Sequence, residues 1–597
     1  MPHHNPGIRL FALDNVKIDP MKKFQPTLEH AIYALALIIA IGLRFLHLGA
    51  LPLSDYEADW AQQALRITQG LKPAIGPNPG YVHLTAMLFS IFGATNFLAR
   101  FWPALAGSAL VLTPWFLRNR FGRIPALILA FGLAIDPGLV AMSHLAGGPM
   151  LAICFLILTG LMWVNSRRAL AGLFAGLALL SGPSVWFGLL GMAIAWALGS
   201  AYVRRISIKA EENTDEPESN QALPTFNRQE VRVALYWGIG TLLVVGSLLI
   251  LSPKGLPAFL VSFWVFLRGW WTLSNVQLWQ PALALPAYEI LPLAFGIAGI
   301  VRGFLIKDTD AIFLGIWALV ALVLVLIYPG RQTGDLTWAL LPLWTLAAME
   351  IGQHFDFEGR NLWELAGTVT VVIVFLVFGW LNVASITNMD LSSSLTHTRM
   401  WLLVAVVFLI ILSLLLVGTG WSTAIARLGG VWGFLVCLTL VTIGMSTGAA
   451  GLRQPLTAEL WQPEPRTGRV DILLKVATQI SDMNRGDAAQ LPLTILSLDS
   501  PALHWLFRDW KIQDVTELAP DTSPELLITP PGDVSLSVDY RGEPLVLAEM
   551  VDWGHATSAQ WLKWFVYRQM PVLREDVDLW VRSDLMLDSQ GVPPTTP

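Results

Sequence analysis

The chain has 597 residues, of which 54% are hydrophobic and only 14% are charged, and its mean hydropathy is +0.57. Soluble domains usually carry nearer a quarter charged residues, so this balance excludes an ordinary soluble protein and predicts membrane spans. The formal net charge is -5. Because no basic stripe stands outside the apolar segments, nucleic acid is not an expected partner. The two cysteines, Cys154 and Cys437, both lie in apolar runs, which excludes a disulfide framework.

The chain begins with a polar segment and continues into a long series of apolar windows. Residues 1–28 lack a signal-peptide core and are predicted to be a cytoplasmic tail. A span needs about 20 apolar residues, and residues 29–449 contain about thirteen such windows. They lie near residues 29–48, 97–117, 123–138, 149–164, 169–182, 184–201, 232–251, 289–305, 310–328, 335–352, 363–385, 400–418 and 429–447. The short pair at 169–201 leaves one bent span as an alternative, and the run 81–93 is too short to cross.

The distribution of Lys and Arg predicts the orientation of these helices. Short loops rich in Arg, such as 118–123, are typical of the cytoplasmic side. The same pattern predicts that the first loop, 49–96, and a loop rich in Trp and Pro, 252–288, lie outside. Residues 202–231 contain an acidic stretch and are predicted to form a cytoplasmic linker.

The last part of the chain, residues 450–597, is predicted to be an extracytoplasmic α/β domain. Its strand-like and helix-like patterns alternate. Because this part has no cysteine and no His cluster, we expect it to fold without metal or disulfide and to do no chemistry itself. The predicted strands are 493–498, 525–530, 544–550 and 577–582, and the predicted helices are 468–484, 501–510 and 557–568.

The first loop contains three acids, Asp55, Glu57 and Asp59, at the start of a helical pattern. Ser54 and Glu57 have the spacing of a capping box, so one interpretation is a capped helix on the membrane surface. The other interpretation is that a carboxylate here acts as a general base toward an acceptor hydroxyl or amine.

Several short motifs follow these acids in a fixed order. The segments are WAQQAL at 60–65, PGYVHL at 79–84, IFG at 91–93, ARFWPALAG at 99–107, RNRFG at 118–122, AIDPGLVAMSHLAGGPMLAICF at 134–155 and YPGRQTGDLTWALLPLWTLAA at 328–348. In this order they resemble the GT-C membrane glycosyltransferases, specifically the protein O-mannosyltransferase, aminoarabinose transferase and rhizobial lipopolysaccharide glycosyltransferase group. The resemblance implies a GT-C-like transmembrane domain over residues 29–449.

The resemblance also implies a reaction and its partners. The donor would be a sugar on polyprenyl phosphate, reached from among the membrane lipids, and the acceptor a lipid, a glycan or a protein on the outer face. Asp55 or Glu57 would be the general base. Arg331 would bind the donor phosphate through its planar guanidinium fork. His144 and Lys254 are further phosphate candidates, and Asp59, His83, Asp136 and Arg268 are lesser site candidates.

A cofactor is not otherwise implied, and a metal stays open. The family's second outer loop carries an acid where this chain has Gly147, Gly148 and Pro149, and Asp136 is the only carboxylate of that loop. A hard cation such as Mg²⁺ needs several oxygen ligands, which this loop does not supply.

Two alternatives belong to other functional classes. The missing acid in the second loop favours a non-catalytic relative that binds prenyl lipid or assists a flippase or cell-envelope assembly complex. A transporter would show ionisable groups inside the spans and matched broken helices. The predicted spans have few ionisable groups and no half-to-half symmetry, so this alternative ranks last.

Overall fold

The computed structural model describes residues 27–211, 228–357, 359–390, 392–453, 458–461, 466–467, 470–519, 521–532 and 535–589. Nearly all of the predicted tail 1–28 and most of the predicted linker 202–231 lie outside these residues. The described residues form a large helical part followed by a small domain with a mixed sheet.

The helical part consists of nineteen α-helices within the described residues. They are α1 Leu28–Phe45, α2 Asp55–Thr68, α3 Pro79–Phe92, α4 Asn96–Leu110, α5 Pro114–Phe121, α6 Arg123–Ile135, α7 Pro137–Ser143, α8 Met150–Val164, α9 Arg168–Leu179, α10 Ser184–Glu211, α11 Arg228–Gly246, α12 Gly255–Arg268, α13 Trp279–Tyr288, α14 Ile290–Ile306, α15 Thr309–Ile327, α16 Thr337–Gly352, α17 Leu362–Ile386, α18 Ser394–Gly420 and α19 Thr423–Ala449. A 3₁₀ turn, Thr333–Leu336, precedes α16.

Fewer helices than predicted have the length and composition of a membrane span. In the described residues seven pass this test, and up to nine if the bent pairs α6–α7 and α13–α14 each count as one span. The predicted number of thirteen is therefore not confirmed. Helices α8, α9 and α16 have 15, 12 and 16 residues, fewer than the roughly 20 that a span needs. Helices α9 and α10 are separate, with a break at Leu180–Pro183.

Small residues let several of these helices approach closely. A Cβ added to Gly172 would lie 2.1 Å from the Ala234 carbonyl oxygen, and one added to Gly176 would lie 2.6 Å from the Gly238 carbonyl oxygen. The Gly-x-x-x-Gly spacing on α9 therefore fits its backbone against α11, as small residues do at helix interfaces in membranes.

The C-terminal domain contains three α-helices and a six-stranded sheet among the described residues. The strands occur in the order β1-β5-β6-β4-β2-β3, with β2 parallel to β3 and β4 and the other neighbours antiparallel. All four predicted strands and all three predicted helices form, at shifted ends, and β1 and β3 were not predicted. The elements are β1 Arg466–Thr467, α20 Val470–Arg485, β2 Leu493–Leu496, α21 Pro501–Leu506, β3 Ile512–Val515, β4 Leu526–Thr529, β5 Tyr540–Val551, α22 Ser558–Tyr567 and β6 Val572–Arg582.

Aromatic side chains attach this domain to the helical part. The Trp279 ring centroid lies 5.5 Å from that of Trp561, and Tyr288 lies 6.2 Å from Trp564, both in edge-to-face geometry. Such pairs add roughly 0.5–1.5 kcal/mol each beyond the area that they bury. On α2, Gln62 also donates a hydrogen bond to the Pro501 carbonyl at 2.7 Å. The domain is thus held against α2 and α13.

Candidate active site

A cavity of about 1040 Å³ lies between the helical part and the C-terminal domain. Its apolar lining includes Phe187 of α10 and Phe266 of α12, and its polar lining comes from α2, from the turns before α8 and α16, and from α22. The charged residues that line it are Glu57, Arg100, Asp335, Glu549, Lys563 and Arg568. An amphipathic ligand with an anionic group matches this combination.

Glu57 lies in the cavity wall, and all acceptor positions of its carboxylate are occupied. The Ser54 side chain caps α2, which confirms the predicted capping box. Glu57 Oε1 accepts from Arg100 Nε at 2.8 Å and from Ala146 N at 2.9 Å, and Oε2 accepts from Arg100 Nη2 at 2.6 Å and from Ser54 N at 3.1 Å. A carboxylate offers about four acceptor sites. These four bonds occupy them and leave none for a substrate proton.

Arg100 of α4 is saturated in the same way. In addition to its bonds to Glu57, Nη1 donates to the Leu48 and Leu51 carbonyls at 3.2 and 2.8 Å, and Nη2 donates to the Pro52 carbonyl at 3.0 Å. A guanidinium has five N–H donors, and all five are used. The Glu57–Arg100 pair therefore anchors the segment that leads into α2, and it offers little to a ligand anion.

The other two acids of the first loop lie outside the cavity lining. Asp55 Oδ1 accepts from Ser500 Oγ at 2.7 Å and from Ala502 N at 2.9 Å, so its exposed side chain contacts the C-terminal domain. Asp59 is exposed, and its Oδ2 accepts from Gln63 Nε2 at 3.1 Å. Asp55 thus joins two domains, and Asp59 makes a contact within its own helix.

Asp335 is a buried carboxylate in the cavity lining that the sequence analysis did not single out. It lies in the 3₁₀ turn before α16, is 6% exposed, and its Oδ2 accepts from Gln332 N at 2.9 Å. Within the described part of the chain it forms no ion pair. Because burial disfavours the charged form, the pKa of Asp335 is raised to about 7. Its motif, TGDLTW, was already part of the family resemblance, which is the signal that could have identified it.

Arg331 lies close to Asp335 in sequence but is not part of the cavity lining. Its Nη1 donates to the Val276 carbonyl and its Nη2 to the Leu326 carbonyl, both at 3.3 Å. Its buried Nε has no hydrogen-bond partner among the described residues. The neighbouring residues Gly330 and Gln332 do line the cavity. The guanidinium predicted to bind phosphate thus connects two backbone segments beside the cavity.

Of the two candidate histidines, His144 lines the cavity and His83 does not. His144 Nε2 contacts the Leu43 carbonyl at 3.0 Å. Burial lowers the pKa of His144 to about 4, so the imidazole is neutral at neutral pH. With Nε2 donating, Nδ1 is left as an acceptor, which does not suit a phosphate oxygen. His83 is buried and contacts the Val245 carbonyl through Nδ1 at 2.8 Å.

The other basic candidates also lie away from the cavity lining. Lys254 Nζ donates to the Lys72 and Pro73 carbonyls at 2.7 and 3.3 Å. Arg268 is exposed in the last turn of α12. Arg331, Lys254 and Arg268 are thus all outside the lining of this cavity.

Asp136 lies at the break between α6 and α7, where its carboxylate makes hydrogen bonds that stabilise the fold. Its Oδ1 accepts from Leu139 N at 2.6 Å and caps α7, and its Oδ2 accepts from Trp344 Nε1 at 2.6 Å. It is fully buried and outside the cavity lining. No group of three or more His, Cys, Asp or Glu side chains that could hold a metal ion occurs in the described ranges.

The comparisons with known proteins show the fold. No family model and no curated protein matches the chain. The structure is similar to the crystal structure of ArnT from Cupriavidus metallidurans bound to undecaprenyl phosphate, with a TM-score of 0.52, 14% identity, and coverage of 92% of this chain and 98% of that chain. The apo form of that ArnT gives a TM-score of 0.49 at 15% identity, covering 85% and 94%. The Archaeoglobus fulgidus oligosaccharyltransferase gives 0.39 at 12% identity, covering 84% and 68%. The chain therefore shares the fold of the ArnT structure bound to undecaprenyl phosphate, which is one of the folds that the sequence resemblance implied.

Proposed function

We propose that the protein transfers a sugar from a polyprenyl-phosphate donor to an acceptor on the outer face of the membrane. One observation supports this most directly. A single cavity combines apolar walls with Asp335, a buried carboxylate that forms no ion pair with the described residues, and with basic side chains of the C-terminal domain. Glycosyl transfer from such a lipid needs a groove for the chain, a cation for the phosphate and a base for the acceptor.

The apolar side of the cavity suits the prenyl chain. Helix α12 lines the cavity through Val265 and Phe266, while Leu260 and Trp264 of the same helix are exposed. A helix with apolar residues on both faces can separate a lipid-filled groove from the bilayer. The ArnT structure of the same fold was crystallised with undecaprenyl phosphate, which supports a prenyl phosphate as the class of lipid.

Asp335 is proposed as the general base. Its pKa of about 7 suits proton transfer near neutral pH. In the proposed step the acceptor oxygen forms a bond to the anomeric carbon of the sugar, and its proton moves to the Asp335 carboxylate. The bond from the anomeric carbon to the phosphate oxygen breaks, and polyprenyl phosphate leaves with the electron pair. The anomeric configuration is inverted.

The sequence-based prediction assigns the base to Asp55 or Glu57, and it remains a prediction to be compared with Asp335. All four acceptor sites of Glu57 are taken by N–H donors, and Asp55 contacts Ser500 outside the cavity lining. These contacts favour positioning roles for both acids.

A second candidate function is binding of prenyl phosphate without chemistry. The saturated Glu57–Arg100 pair favours it, and so does the position of Asp136, which is buried outside the cavity lining and bonded to Trp344. In such a protein the cavity would hold the lipid for a flippase or an assembly complex, and Asp335 would have no substrate proton to accept.

Reconstitution separates the two functions. The full-length protein would be placed in proteoliposomes containing the lipid-linked sugars of its host membrane, and release of polyprenyl phosphate would be followed by mass spectrometry. If polyprenyl phosphate is released only when a membrane extract is added as the source of acceptor, the result supports glycosyl transfer. Lipid binding without release supports the non-catalytic function. A protein that binds no prenyl phosphate contradicts both.

A further inference from the structure

Arg568 is a buried cation at the end of α22 whose hydrogen-bonding capacity is only partly used. It is 3% exposed, and it lines the cavity. Nη2 donates to the Ala287 carbonyl at 2.7 Å, whereas Nη1 is buried and has no hydrogen-bond partner in the part of the chain that the structure describes. A buried donor without a partner costs roughly 1–3 kcal/mol, and more when the group is charged. Nη1 is thus an unsatisfied donor of a residue in the cavity wall.

The surroundings of Arg568 hold the guanidinium between aromatic rings and leave its charge without an ion pair. Its Cζ lies 4.3 Å from the Tyr288 ring centroid and 4.4 Å from that of Trp564. No carboxylate of the described residues lies within 4.0 Å of the guanidinium nitrogens. Ring contacts fix the orientation of a guanidinium while its N–H edge remains able to bind an anion.

Lys563 supplies a second cation from the same helix. It is exposed, lines the cavity, and forms no hydrogen bond or ion pair with the described residues. The acidic residue of the domain in this lining is Glu549, which is paired with Arg574 at 3.5 Å. Arg100 is the remaining guanidinium of the lining, and all five of its N–H donors are already used. The cations free to bind an anion in the cavity therefore come from α22.

We propose that Arg568 and Lys563 bind the phosphate of a prenyl monophosphate, so that the C-terminal domain completes the donor site of the helical part. This inference rests on the proposed function and makes it more specific, because it assigns the phosphate to α22. Arg568 forms the oriented bonds, and Lys563 adds a mobile charge at the open side. The domain that we expected to do no chemistry would then contribute to substrate binding.

The test uses the full-length protein in detergent and three probes: farnesyl phosphate, farnesol and inorganic phosphate. Binding would be measured by calorimetry for the wild type, Arg568→Gln, Lys563→Gln and the control Lys475→Gln. Lys475 is an exposed cation of α20 outside the cavity lining. Loss of a charge-assisted bond should raise the Kd for farnesyl phosphate about tenfold or more in both cavity variants. Farnesol binding and the control should match the wild type.

Other results overturn the inference in distinguishable ways. If both variants bind farnesyl phosphate like the wild type, the phosphate site lies elsewhere while the proposed function stands. If Arg568→Gln does not fold, the Kd of Lys563→Gln for farnesyl phosphate is the deciding measurement, because Lys563 is exposed. If inorganic phosphate binds the wild type as tightly as farnesyl phosphate does, the site recognises free anion and the lipid assignment is wrong. If the wild type binds no farnesyl phosphate, the proposed function fails as well.

Discussion

Glu57 Oε2 and Arg100 Nη2 lie 2.6 Å apart in a buried ion pair that joins α2 to α4. Each side chain has all of its hydrogen-bonding positions filled by the other or by backbone groups. The acid that the motif marks as a candidate base is therefore built into the wall of the cavity. Its most direct effect is to fix the loop between α1 and α2.

Glu57→Gln should destabilise the fold. It leaves the Arg100 charge buried without a counter-charge, and breaking such a pair costs about 3–5 kcal/mol. Thermal unfolding of the purified protein should show a clearly lowered Tm. Asp59→Asn, an exposed change on the same helix, should stay within about 0.5 kcal/mol of the wild type. If Glu57→Gln instead keeps the wild-type Tm and loses glycosyl transfer, Glu57 and not Asp335 is favoured as the general base.

Asp55→Ala should loosen the contact between α2 and the C-terminal domain. Asp55 Oδ1 is the acceptor for Ser500 Oγ and Ala502 N. Without it, amide hydrogen exchange across Pro501–Leu506 should become faster, as expected for a less protected local unit. Asp59→Ala is the matched control, since the hydrogen bond of Asp59 to Gln63 lies within α2. Exchange that stays at the wild-type rate would show that Asp55 does not hold the domains together.

Asp335 should make the stability of the protein fall with rising pH. The pKa of Asp335 is raised from 3.8 to about 7 by burial, so the folded chain holds a proton that the unfolded chain releases between these values. The free energy of unfolding therefore decreases as the pH rises from about 4 to about 7. Asp335→Asn cannot titrate and should show a smaller fall in Tm between pH 5 and pH 8. An equal fall in Tm with pH in both proteins would mean that the pKa of Asp335 is not raised.

The Lys and Arg distribution predicts which segments share a side of the membrane. Residues 49–96, 329–334 and 450–597 should lie outside, opposite 118–123 and 202–230. In a protein without its two native cysteines, a cysteine at exposed position 71 or 558 should react with an impermeant reagent in intact cells. One at exposed position 119 should react only after permeabilisation. Protection of position 558 in intact cells would contradict this topology.

Local features of the structure could be predicted from the sequence. The Ser54–Glu57 spacing predicted the helix cap because a cap depends on residues within one turn. The strands at 493–498 and 525–530 were predicted because their β-branched and leucine runs are short and bounded by turn residues. The predicted number of spans is not confirmed, because an apolar window of about 20 residues does not show whether the helix within it is long enough to cross. Helix α9, with its 12 residues, is such a case.

The composition of the site could not be predicted, because it depends on contacts between distant parts of the chain. Glu57 meets Arg100 forty-three positions later, and nothing in either motif specifies that pairing. Asp335 stands in a Gly-Asp turn that is typical of a loop, and its burial follows from packing. Arg568 reaches the cavity only because the C-terminal domain docks on α13. No local pattern around residue 568 indicates that contact.

The rate of polyprenyl phosphate release tests most directly whether Asp335 accepts the acceptor's proton in glycosyl transfer. In proteoliposomes, Asp335→Asn should slow release about 10²–10⁴-fold and bind farnesyl phosphate like the wild type. The wild-type rate should rise with pH and level off above about 7, since the base must be deprotonated. Release at the wild-type rate by Asp335→Asn, with Asp55→Asn or Glu57→Gln inactive but correctly folded, would contradict the claim.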